Sequence, residues 1–213
     1  MTPSRTICVT ETPFSGTIDP CRSIAVTMAQ LARTPTIHNS IIVSRDEYHM
    51  VRLALKTVFA LEGVVTLQAG DPLHHVYMLR LRCSQCQTEY PSPVTVTRAE
   101  SHAMPKSRGE AHLVIRCKFC HKDASIVLEP ASLAQHYSSQ DSDAGRAVSM
   151  LVLDCRGVEP TAFIPGDGWI AHTDRQTVFS VDLSDQGEFF DYDEQSQQPV
   201  SVHFVSASFD VVR

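Results

Sequence analysis

Four cysteines at two identical spacings carry the chemistry of this sequence. Cys83 and Cys86 stand in "RLRCSQC", and Cys117 and Cys120 in "VIRCKFC". Two C-x-x-C pairs supply four thiolates, the set that Zn²⁺ takes in a closed tetrahedral structural site. Thirty residues lie between Cys86 and Cys117. That exceeds the roughly 15–20 of a compact ribbon, so strands must fit between the pairs. The expectation is one Zn²⁺ per chain, held by Cys83, Cys86, Cys117 and Cys120 at the ends of neighbouring strands.

The surroundings suit such a centre. Four thiolates and one dication sum to about −2. Arg82 and Arg116 precede the two motifs, and Lys118 and Lys122 flank the second. Cations there would lower thiol pKa values and offset the charge. Two other readings use the same residues. One is a thiol-dependent oxidoreductase or a protein that hands zinc or copper on; the other is unpaired core thiols. Redox chemistry would favour a single C-x-x-C opening a helix, whereas each motif here follows an extended segment and precedes another. Catalytic zinc needs an open coordination position, which four cysteines fill.

Other residues offer less. His121 follows Cys120 directly and reads as a surface or supporting residue. His74 and His75 are adjacent, so on a strand they face opposite ways. Residues 185–194, "DQGEFFDYDE", hold Asp185, Glu188, Asp191, Asp193 and Glu194. They lack the calcium-loop pattern and read as a solvated turn. Cys155 has no partner motif and reads as a small buried hydrophobe. Arg156 is expected in an ion pair with Glu159 or with the acidic turn. Phosphate-loop, nucleophile-elbow and dinucleotide glycine motifs are absent, so no enzymatic activity is expected.

The elements that would position these cysteines are strands. Val51, Leu53, Leu55, Thr57 and Phe59 alternate with Arg52, Ala54, Lys56 and Val58, the period of two of a half-buried strand. Val76–Arg82, Val94–Val96, Ala111–Ile115, Ala124–Leu128, Val148–Leu153 and Val178–Leu183 read likewise. In Val200–Val212 the apolar face switches, which predicts a bulge near His203–Ser206. Residues 138–145, "SSQDSDAG", form a polar linker, with one helical turn expected at Ser132–Tyr137. "LQAGD" (67–71) and "FIPGD" (163–167) form a faint internal echo. The fold expected is mainly β: an antiparallel sandwich or barrel of two similar halves, about 50–137 and 146–213, with little helix.

Residues 1–49 differ. They have four arginines, no lysine, four acids and many hydroxyls. Ile24, Met28 and Leu31 give their only helical period. They are read as an N-terminal extension: a flexible segment, an over-long start before Met50, or an organelle-targeting leader. The net charge of −6 therefore sits wholly in residues 50–213. It argues against a nucleic-acid binder, including a zinc ribbon using Arg80, Arg82, Arg116, Lys118 and Lys122. No apolar run is long enough for a membrane helix. Seven cysteines without a secretory signal point to reduced thiols; Cys8 and Cys21 lie in the extension. The expected location is cytoplasmic, with an organelle as the alternative.

The blocks "MVRLALKTVFALEGV", "YMLRLRCSQC", "IRCKFCHKDASIVL", "LVLDCRGVEPTAFIPGDGW" and "DYDE" occur in this order. Together they resemble the eukaryotic CXXC-motif-containing zinc-binding proteins over about residues 50–213. The resemblance implies a mainly antiparallel β fold of two similar halves, with one zinc on Cys83, Cys86, Cys117 and Cys120. Cys155, Arg156, Gly157, Glu159, Pro160, Asp191, Tyr192, Asp193 and Glu194 match family motifs to which it assigns no role. It implies no reaction and no counterpart for residues 1–49. The function expected is a zinc-binding, non-enzymatic protein-interaction or adaptor module, monomeric, with a protein partner. The alternative remains the oxidoreductase or metal-handling protein.

Overall fold

The alternating segment from Val51 does form a strand, and it is the spine of the molecule. A computed structural model describes residues 50–105, 107–129 and 136–212. The N-terminal extension, including the Ile24–Leu31 period, lies outside these residues. Strand β1 (Val51–Glu62) buries Leu53, Leu55, Thr57 and Phe59 on one face. Each fully buried Leu or Phe contributes about 1.5–3 kcal/mol, so this face anchors the core. Short strands β2 (Thr66–Ala69), β3 (Tyr77–Cys83), β4 (Val94–Val96), β5 (His102–Ala103) and β6 (Glu110–Ala111) follow. Next come β7 (Leu113–Arg116), β8 (Asp123–Leu128) and β9 (His136–Ser138). The helix α1 (Ser139–Asp143) precedes β10 (Val148–Arg156), β11 (Val158–Ile164) and β12 (Trp169–His172). Strands β13 (Val178–Val181), β14 (Glu188–Asp193) and β15 (Gln198–Val211) complete the order.

The fold is mainly β, and every strand pair is antiparallel. The largest sheet has the order β14-β15-β1-β10-β8-β7. Its two central strands, β1 and β10, each open one part of the chain. Each pairs on its outer side with the hairpin that closes the other part. The order is thus mirrored about the β1–β10 seam, and the two parts interleave through it. A three-stranded sheet, β11-β3-β4, and a four-stranded one, β13-β12-β2-β9, complete the framework with the small β5-β6 hairpin. The echoed segments begin on β2 and at the end of β11, which hold equivalent places in two sheets, since β2-β12-β13 mirrors β11-β3-β4, so the echo falls at corresponding positions of two similar halves.

The expected bulge is present. Val58 pairs with Ser206 but Phe59 pairs with Phe204, leaving Val205 as the extra residue. Val205 is exposed, and the buried face changes there from Val200/Val202 to the half-buried Ala207/Phe209.

Two local readings are corrected. The helical turn expected at Ser132–Tyr137 falls mostly outside the described residues, and its described end, His136 and Tyr137, is strand. Tyr137 is buried, and a helix occupies the polar linker. A capping box explains it. The Ser138 hydroxyl accepts from the Asp141 N–H while the Asp141 carboxylate accepts from the Ser138 N–H, satisfying donors that a helix start leaves orphaned. The acidic stretch is not a solvated turn either. Glu188–Asp193 pairs along β15 as an edge strand. Its acids hid the alternation, because Phe190 and Tyr192 stay exposed on the outer face while Asp193 is buried.

Candidate metal centre

The first C-x-x-C is the tip of a hairpin that extends β3. The Cys83 N–H donates to the Thr88 carbonyl at 2.9 Å, and the Gln87 N–H to the Cys83 carbonyl at 2.9 Å. The second is the turn between β7 and β8. There the Cys117 N–H donates to the Lys122 carbonyl at 2.9 Å, and the His121 N–H to the Cys117 carbonyl at 3.0 Å. The two tips have the same bonding pattern. Each reverses direction through a left-handed residue just after its second cysteine, Gln87 at φ 59° and His121 at φ 57°. His121 is thus a turn residue with an exposed side chain.

The tips meet. The four sulfurs all lie within 4.8 Å of one another. Cys83 Sγ is 3.6 Å from Cys120 Sγ, and Cys86 Sγ is 3.6 Å from Cys117 Sγ. A tetrahedral Zn²⁺ with Zn–S bonds of about 2.3 Å requires sulfurs roughly 3.8 Å apart. The constellation therefore fits zinc with side-chain shifts of about an ångström or less. One expectation is corrected: the motifs do not end neighbouring strands. Strand β3 belongs to the three-stranded sheet, and β7 is the edge of the six-stranded one. A metal here would staple two sheets.

The thiols are tuned by close neighbours. The Thr88 hydroxyl, 3.4 Å from Cys86 Sγ, and the Thr88 backbone N–H stabilise the Cys86 thiolate and lower its pKa to about 6. At Cys120 the Lys122 backbone N–H works in the same direction, but desolvation and the other three sulfurs prevail and raise it to about 11. Burial and the sulfur charges push the Tyr90 phenol well above its ordinary value. Its hydroxyl is buried with no hydrogen-bond partner among the described residues. The flanking arginines answer other groups. Arg82 pairs with Glu159 at 2.9 Å. Arg116 donates to the His121 carbonyl at 2.9 Å and lies 3.8 Å from Asp123.

The block from Cys155 to Pro160 supports both tips. Cys155 is 1% exposed, and burial raises its thiol to about 12, so it is the small core residue expected. Gly157, at φ +72°, links β10 to β11. Its carbonyl accepts from the Ser84 N–H in the first tip at 3.3 Å. A Cβ on it would lie 3.0 Å from the Asp123 carbonyl oxygen, just beyond the second tip. Glu159 faces Arg82 across the β11–β3 pair, and Pro160 sits at the irregularity in that pairing. Glu159 is held by Arg82 at 2.9 Å.

Asp193 does similar work elsewhere. Its carboxylate accepts from the Ser196 hydroxyl at 2.8 Å, the Gln195 N–H at 3.0 Å, and the Thr173 and Thr177 hydroxyls at 3.2 Å each. Burial opposes its charge, but these donors hold its carboxyl below the usual range. It ties the β12–β13 turn to the β14–β15 turn, and so joins two sheets. Asp191 caps the Tyr192 N–H at 2.7 Å, and Glu194 is exposed. His74 bonds Asp71 at 2.7 Å, whereas buried His75 packs on Tyr77 and Trp169. The two share no site.

Sequence reasoning missed Thr88, Tyr90 and the roles of Gln87 and Gly157. The equal offset of Gln87 and His121 from their motifs was a signal for the paired turns. A glycine interrupting a strand pattern was the signal for Gly157.

Residues 54–210 match the family described as CXXC motif containing zinc binding protein, eukaryotic. The chain belongs to this family. It is 35% identical to a UPF0587 protein of Nematostella vectensis, over 75% of this chain and 98% of that one. It is 30% identical to the CXXC motif containing zinc binding protein of Xenopus laevis, again over 75% of this chain and 98% of the relative. Among solved structures it resembles that of C1orf123, with a TM-score of 0.69 and 26% identity, covering 76% of this chain and 99% of that one. No helix among the described residues is long and apolar enough to cross a membrane.

Proposed function

We propose that this chain is a zinc-stabilised β module that acts by binding a protein partner, without catalysis, in a reducing compartment such as the cytoplasm. One Zn²⁺ per chain would be held by Cys83, Cys86, Cys117 and Cys120. The observation that carries this reading is the position of the four sulfurs, at near-tetrahedral spacing between hairpin tips of two different sheets. Bound there, zinc supplies cross-linking, and the four cysteines complete its sphere. Around it the residues position and support. Gly157 fits against both tips, the Thr88 hydroxyl pairs with Cys86, and Arg82–Glu159 fixes β3 on β11.

A second reading, metal handling or thiol chemistry, draws support from one feature. Cys86 and Cys120 are only half-buried, and the Cys86 thiol is lowered to about 6. Lability separates the two. Zinc-loaded protein is treated with a mild chelator while metal release and the folded fraction are followed together. The structural reading expects slow release coupled to unfolding. Fast release from a chain that stays folded would overturn it in favour of transfer.

A further inference from the structure

Strand β14 is the outermost strand of the six-stranded sheet, and its far side pairs with no strand among the described residues. Its register with β15 runs without a break, from Glu188 opposite His203 to Asp193 opposite Gln198. The ladder fixes which backbone groups face outward. Tyr192 lies opposite Pro199, which has no N–H to give, so the two form a non-bonded pair. The Tyr192 N–H accordingly turns away from β15, and it donates to the Asp191 carboxylate at 2.7 Å. By the alternation of an antiparallel ladder, the Phe190 N–H and the Phe190 and Tyr192 carbonyls also point outward. No strand lies there to meet them. Natural edges are commonly blunted by Lys, Pro or a bulge, and β14 has none of these. It presents two aromatic side chains instead, Phe190 at 64% exposure and Tyr192 at 54%. The His203 ring meets Phe190 edge-on at 4.9 Å and holds it in place. Glu188, Asp191 and Glu194 stand along the same edge, and among the described residues no Lys or Arg pairs with them. Only the His203 ring approaches Glu188, at 3.4 Å.

We infer that β14 is a docking edge for an extended segment of the protein partner, which adds as a further strand and carries Lys or Arg between apolar residues. The inference rests on the binding-module reading above and names the partner's chemistry. The outward groups of Phe190 and Tyr192 supply main-chain hydrogen bonds, the basis of strand addition. Alternate side chains of the added strand pack beside Phe190 and Tyr192 on one face. Charge selects the occupant. Pairing β14 with the same strand of a second copy would bring Glu188 and Asp191 against their own counterparts, and like charges facing across a sheet are destabilising. A basic segment meets the same carboxylates favourably. The competing account is that the acids merely keep copies apart at an edge that binds nothing. Two exposed aromatic rings do not serve that purpose.

The test uses the full chain loaded with zinc and a fluorescent peptide of alternating Lys and Val. The peptide should bind, its scrambled counterpart should bind far less, and added salt should weaken the complex. Hydrogen exchange at the Phe190 amide should slow when the peptide is present. Methylating the peptide's backbone nitrogens on the side facing β14 should abolish binding, whereas methylating the other side should spare it. Asp191→Lys should weaken binding roughly tenfold or more, with Asp191→Asn in between. Glu188→Lys provides a second variant should Asp191→Lys fail to fold. Absence of binding, or binding indifferent to these substitutions and to the methylation pattern, would overturn the inference. So would a dimer in sedimentation that Phe190→Glu dissolves, since a second copy would then occupy the edge. The binding-module reading stands or falls on the chelator experiment instead.

Discussion

Gly157→Ala is the sharpest perturbation of the metal centre that touches no cysteine. Gly157 holds φ +72°, and an L-residue in the left-handed region costs roughly 1–2 kcal/mol. The new methyl would also sit 3.0 Å from the Asp123 carbonyl oxygen and 3.4 Å from Ala124. Both are backbone or near-backbone atoms that cannot rotate away, so the strand itself must move. The two effects together should cost about 2–3 kcal/mol. For a chain of this size that lowers Tm by roughly 4–12 °C. Gly145→Ala separates the contributions. Gly145 has φ +57°, but nothing lies within 4 Å of its added Cβ, so it should show the backbone cost alone. Because Asp123 follows Cys120 by three residues, the shift should also reach the second tip and weaken zinc retention. The assay is thermal melting of both variants with zinc titration against a chromophoric chelator. If Gly157→Ala melts with Gly145→Ala and retains zinc as the wild type does, the claim that Gly157 braces the tips is wrong.

Cys117→Ser should lose zinc on dialysis and unfold far below the wild type, since structural metal binding contributes directly to folding; metal analysis and circular dichroism check it. Asp193 has a lowered carboxyl pKa in the folded state. Its contribution to stability is therefore complete above the unfolded value of about 4 and is lost as the pH falls through the lower folded value. Asp193→Asn should be less stable at neutral pH and show a shallower acid loss, as urea melts from pH 7 downward would record. Cys155, buried and raised to about 12, should resist alkylation in native protein and react only on unfolding, as peptide mass mapping would show.

Much of the architecture was legible in the chain because it depends on local pattern. The alternation in β1 and the face switch in β15 were readable, since a period of two directly reports which face is buried. Even Val205's bulge left a trace in sequence. The acidic edge strand was not readable. Its exposed face carries Phe190 and Tyr192, and Asp193 is buried only because Thr173, Thr177 and Ser196 converge on it. The helix at Ser139–Asp143 was legible in principle from Ser138 and Asp141, but short capping boxes are easily lost within polar linkers.

The sequence by itself determined which side chains can do chemistry here. Two equal C-x-x-C spacings specify four thiolates, a set that suits a closed zinc site. Tertiary structure alone decided where those thiolates meet. Cys86 and Cys117 have thirty residues between them in the chain, lie on hairpins of separate sheets, and no local rule relates them. Their convergence rests on long-range packing: the β11–β3 pair, the β10–β8 pair, and Gly157 between them. That packing also decided which charges answer which. Arg82 lies opposite Glu159 in register.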